Sequence, residues 1–123
     1  MTPAEIRLHQ KSAMLELCYE DASSYKLPAE YLRVFSPSAE VRGHSPEQAV
    51  LQHGKKDVNI LNLEPQGNYA IKITFSDGHD SGIFSWQYLY ELGRDQQANW
   101  ADYLNRLQTA GKKREPQFIA VGR

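Results

Sequence analysis

Two stretches of this chain are built to one plan, and that duplication constrains the fold more than any other feature. Leu15 to Leu32 and Ile71 to Leu89 each run as an alternating strand, an aromatic residue, an aspartate-led turn, a second strand and a short helix ending in Tyr-Leu. Leu15, Leu17, Tyr19 and Asp21 match Ile71, Ile73, Phe75 and Asp77 at one offset, which slips by a residue at the helix. Strict alternation places successive side chains on opposite faces of a half-buried strand. Two such units predict a pseudo-symmetric domain in which two hairpins join one or two sheets. The plainer alternative is that any two hairpin–helix units look alike at this level.

The flanking sequence fills in the rest. Ile6 to His9 alternates and reads as a strand, as do Val58 to Leu63 and Tyr69 to Phe75, the last with Tyr69, Ile71, Ile73 and Phe75 on one face. Pro28 suits the first helical position, and Ser36-Pro37 stops that helix because the residue before a proline avoids helical dihedrals. Ser45-Pro-Glu-Gln48 reads as a capping box opening a helix of two turns to Gln52, with a loop as the alternative. Trp86, Leu89 and Leu92 align on a short helix closed by Gly93. Asp95 is placed as the N-cap of a longer helix to Ala110, carrying Trp100, Tyr103, Leu104 and Leu107 as its apolar stripe. The expected fold is therefore α+β: about six strands in antiparallel hairpins, short helices and a C-terminal helix. Residues 1–111 are expected to form one domain, and 112–123 a flexible basic tail opening with Lys-Lys-Arg.

Composition excludes several function classes. At 123 residues the chain holds one domain with its own core, and 14 basic against 15 acidic side chains give no sign of nucleic acid or an anionic membrane. No apolar run approaches the roughly 20 residues of a membrane helix, and the first residues lack a signal peptide's apolar stretch. The single cysteine, Cys18, cannot form an internal disulfide, which fits a reducing cytoplasm, nor can it build a cysteine-based zinc or iron–sulfur site.

Few residues offer chemistry. His79 sits in the Asp77-Gly-His-Asp80 turn, where neighbouring carboxylates favour the imidazolium and raise its pKa. It is a candidate general base or a solvated turn residue. No histidine is followed two positions on by an acid, which argues against an iron-oxygenase facial triad. Cys18 has no adjacent base to activate it. Trp86, Trp100, Tyr31, Tyr88 and Tyr103 have the spacing of core positions rather than of a base-stacking platform.

The runs Leu32-Arg-Val-Phe-Ser-Pro-Ser-Ala-Glu-Val-Arg42 and Asp77-Gly-His-Asp-Ser-Gly-Ile-Phe-Ser-Trp-Gln-Tyr-Leu89 together resemble the gamma-butyrobetaine hydroxylase-like N-terminal domain family over about residues 4 to 95. In that family the domain precedes the catalytic domain of carnitine-synthesis dioxygenases, is fused to Mrp-type iron–sulfur scaffold ATPases, or stands alone in bacteria; the resemblance implies the stand-alone form here. In the hydroxylases, three cysteines after the Leu-Arg pair and the histidine of the second turn hold zinc. Those positions fall here on Ser36, Ser38, Val41 and His79, so the resemblance implies the fold while the residues argue against the metal. It also implies that Ser36, Ser38 and His79 are neighbours, with hydroxyl–imidazole hydrogen bonds clamping where the ion would be.

The expected function is a non-catalytic, cytoplasmic accessory or protein-binding module, linked by the resemblance to iron–sulfur or oxygenase-related assembly. Its surface would be the Leu-Arg-x-x-Ser-Pro-Ser loop with the Asp-Gly-His turn. Arg33, Ser36, Ser38, Glu40, Arg42, His44 and His79 are its binding residues. No cofactor, metal, nucleic acid or membrane is expected, and the partner is a protein. Two alternatives remain: metal binding by His79 with His44, His53 or an acid, and a small enzyme using His79 as general base.

Overall fold

The computed structural model describes residues 1–116. Six strands form two three-stranded antiparallel sheets. The first holds β1 (Glu5–His9), β2 (Met14–Cys18) and β3 (Ser24–Pro28) in that order; the second holds β4 (Ile60–Gln66), β5 (Ala70–Phe75) and β6 (Gly82–Ser85). Helices α1 (Ala29–Val34) and α2 (Ala39–Arg42) follow the first sheet; α3 (Trp86–Arg94) and α4 (Gln96–Ala110) follow the second.

The registers follow the alternation. Leu15 faces Leu27 and Leu17 faces Tyr25 across β2–β3, while Ile71 faces Phe84 across β5–β6. Leu15, Leu17, Leu27, Leu32, Ile60, Ile73, Phe75, Phe84 and Leu89 are fully enclosed in one core. Tyr69 is an exception: it lies in the β4–β5 turn and is 63% exposed. Pro65 is tolerated within β4 because β4 is an edge strand, whose outer side needs no donor.

The two units share a set of equivalent bonds. In the first turn the Tyr19 and Ala22 amides donate to the carbonyls of Ser23 and Tyr19; in the second, those of Phe75 and Gly78 donate to His79 and Phe75. Asp21 accepts from the Ser23 amide at 3.0 Å as Asp77 accepts from the His79 amide at 3.2 Å. Ala22 and Gly78 both take positive φ, 70° and 92°. The Tyr31 hydroxyl donates to the Leu92 carbonyl at 2.7 Å, and the Tyr88 hydroxyl donates to the Phe35 carbonyl at 2.6 Å. Each tyrosine thus reaches the carbonyl four residues beyond its counterpart. Such reciprocity is the signature of a two-fold relation between like units.

Three local expectations are corrected. Pro46–Gln48 makes a single 3-10 turn, and the Ser45 side chain caps nothing. The chain turns extended at Ala49, and Val50 donates back to the Val41 carbonyl at 2.8 Å, which no helix to Gln52 could allow. Gly93 lies inside α3 rather than closing it: a Cβ there would fall 2.4 Å from the Tyr25 ring, so glycine lets α3 seat on β3. Asp95 separates α3 from α4 but its carboxylate grips Arg94 at 2.8 Å instead of capping α4. At the tail, Lys113 and Arg114 offer carbonyls to the Gly54 and Lys56 amides, and Arg114 forks onto Glu30 at 2.7 and 2.9 Å. The rest of the segment expected to be flexible, residues 117–123, lies outside the described residues.

Candidate functional site

The loop after α1 and the β5–β6 turn meet where the two units join. Ser36-Pro37 ends α1, and Ser38 then caps α2 by accepting from the Glu40 amide at 3.1 Å. Opposite, Asp77 and Gly78 fold the turn that presents His79, and Gly82 begins β6. Ser36 Oγ lies 2.8 Å from His79 Nε2, and Ser38 Oγ lies 2.7 Å from Ser81 Oγ. Gly82 allows the approach, since a Cβ there would stand 2.4 Å from Ser36 Oγ.

His79 is buried, its side chain 3% exposed, and its Nδ1 sits 3.2 Å from Glu40 Oε2. The sequence expectation of a raised pKa is overturned. Burial and the Arg33 guanidinium hold the imidazole below its ordinary value, outweighing Glu40 and Asp77. The neutral ring then has one consistent arrangement: Nδ1–H donates to the Glu40 carboxylate, which can only accept, and Nε2 accepts from the Ser36 hydroxyl. Ser36 Oγ accepts in turn from the Ser38 amide at 3.3 Å.

A second cluster braces the turn. Arg33 Nε donates to Asp77 Oδ2 at 2.9 Å, Lys55 Nζ reaches the same oxygen at 2.7 Å, and Arg33 Nη1 donates to Gln52 Oε1 at 3.0 Å. Burial pushes the Asp77 carboxyl up, but Lys55, the His79 amide and Arg33 together bring it down to about 2.

The candidate residues therefore separate. Arg33, Ser36, Ser38 and His79 are buried and engaged internally, so they are not the surface contacts the sequence suggested; Glu40, Arg42 and His44 are exposed. Asp77, Lys55 and Gln52, which complete the brace around Arg33, carried no sequence signal as partners, because their meeting depends on the return of the chain from residue 43 to 55.

Residues 6–90 match the family described as gamma-butyrobetaine hydroxylase-like, N-terminal. The chain belongs to that family. An NMR solution structure of a protein 52% identical superposes with a TM-score of 0.83, covering 99% of this chain and 96% of the other. Another, 44% identical, gives 0.79 over 99% and 92%. A crystal structure of a protein of unknown function from Acidithiobacillus ferrooxidans, described as belonging to the DUF971 family, is 36% identical with a TM-score of 0.60, covering 75% of this chain and 92% of that one. No curated protein matches.

The zinc that the family resemblance implies does not suit these residues. Val41 has no donor atom, serine hydroxyls are poor zinc ligands, and His79 Nε2 is already taken by Ser36. Among the described residues no three His, Cys, Asp or Glu side chains converge as a ligand set. Carboxylate, imidazole and hydroxyl do stand in line, the order that activates a serine nucleophile. Ser36 is 1% exposed and packed against Gly82; it borders the cavity beside α4, whereas His79 lines none of the cavities described. In the structure the line joins the loop after α1 to the β5–β6 turn.

Proposed function

We propose that the protein is a non-catalytic binding module whose contact face is the segment Glu40 to His44. The observation that carries this reading is the fixation of that segment from beneath. Ser36 and Ser38 are bonded to His79 and Ser81 across the join, and Glu40, Arg42 and His44 project beside them. A loop anchored on a rigid scaffold is a common way to present recognition residues. The partner in this reading is a protein, of the iron–sulfur or oxygenase-related assemblies that the family resemblance implies, and its place of action the cytoplasm. Affinity capture from native lysate tests it. The wild type and a Lys26→Ala control, altered on the distant β3 strand, should retain the same partner, which a Glu40→Lys, His44→Ala double variant loses. Identical recovery by all three would remove this face from the proposal.

A further inference from the structure

A groove of about 540 Å³ opens between α4 and the loop that runs from α2 to Gln52, within the usual size range of small-molecule sites. Its walls include Val34, Val41, Leu51, Tyr88 and Tyr103, and Val50 stands at its edge 56% exposed. The lining residues include two arginines, Arg42 and Arg106, and no acid.

Most of the polar atoms around the groove are already committed. The Tyr88 hydroxyl donates to the Phe35 carbonyl, the Tyr103 hydroxyl donates to the Gln52 carbonyl at 2.7 Å, and the Gln52 side chain is held by Arg33 and the Val50 carbonyl. Arg106 is paired with Asp102 at 3.0 Å. Arg42 differs. Its guanidinium carbon lies over the Tyr88 ring, 4.7 Å from the centroid, and among the described residues it has neither a carboxylate within ion-pair distance nor a side-chain hydrogen bond. The cation–π contact holds the guanidinium at the groove and leaves its N–H groups free to meet a planar anion in two parallel bonds.

We infer that the groove binds a small carboxylic acid with an apolar chain, the carboxylate on Arg42 and the chain along Val41, Leu51 and Tyr103. A single uncommitted guanidinium matches one negative charge, and the apolar walls match a hydrocarbon body rather than a sugar or a nucleotide. The groove shares Val41 and Arg42 with the Glu40–His44 segment, so the two readings are told apart by substitution on the α4 wall and by the comparison of octanoate with octanol.

Titration of the full chain with octanoate, followed by amide chemical shifts, tests the assignment. Saturable shifts confined to residues 41–51, Tyr88 and Tyr103 are expected, with octanol and octyltrimethylammonium binding at least tenfold more weakly, the order of one charge-assisted contact. Arg42→Ala should weaken octanoate about tenfold and leave octanol unchanged. Ala110→Trp, which fills the groove from an exposed position on α4, should abolish octanoate binding while lysate capture persists. Equal binding of octanoate and octanol, no effect of Arg42→Ala, or no saturable shift at millimolar octanoate would overturn the assignment.

Discussion

Ser36 and His79 show how a side chain's role depends on what it meets rather than on what it is. In the sequence His79 stands in a polar turn between aspartates; in the structure it is enclosed, and burial sets its charge state. Replacing Ser36 by Ala strands Nε2 without a donor, and should lower stability by about 1–3 kcal/mol in urea denaturation. Glu40→Gln, at a side chain 71% exposed, should cost under about 1 kcal/mol. The pH dependence follows from the lowered His79 pKa. The unfolded chain takes up this proton near pH 6.5, before the folded chain does, so stability falls as the pH drops below about 6.5. His79→Gln should flatten that part of the curve. Asp77, held at about 2 against an ordinary 3.8, adds a further loss only as the pH falls from about 4 toward 2. The pairing of Ser36 with His79 was legible through family resemblance; the inversion of the imidazole's pKa was not, because enclosure by residues 33–40 is a tertiary fact.

At the level of elements, periodicity placed the strands and helices well wherever side chains alternate or stack against the core. It failed where a single contact decides. The capping-box pattern at Ser45–Gln48 reads as a helix start, yet the Gln48 side chain accepts from the His44 amide and the chain pairs back to Val41. Gly93 reads as a helix end, yet it is a contact residue, and only the placement of Tyr25 reveals that. Gly93→Ala therefore should destabilise by about 1–3 kcal/mol through overpacking against Tyr25, despite alanine's better helix propensity. Gly111→Ala, in a left-handed cap with open space around its Cβ position, should lose only about 1 kcal/mol. A thermal melt that ranked these two variants in the opposite order would contradict the close seating of α3 on β3.

Across the whole molecule, the repeated plan appears as two sheet-and-helix units facing one another about a pseudo-two-fold relation. The reciprocal tyrosine bonds tie each unit to the far end of the other's helix. Tyr31→Phe and Tyr88→Phe should each cost about 0.5–1.5 kcal/mol in chemical denaturation, with neither neutral. The clamp breaks this symmetry: the turn position equivalent to His79 is Ser23, so only one of the two joins carries an imidazole. That join is the central claim, a hydroxyl–imidazole bond spanning the two units at the place where the family resemblance implies an ion. Nitrogen-15 NMR of the His79 ring tests it most directly. Near neutral pH the clamp requires a protonated Nδ1 and an unprotonated, hydrogen-bonded Nε2, unchanged by added chelator. A ring protonated on Nε2, or one titrating as a free imidazole, would contradict it.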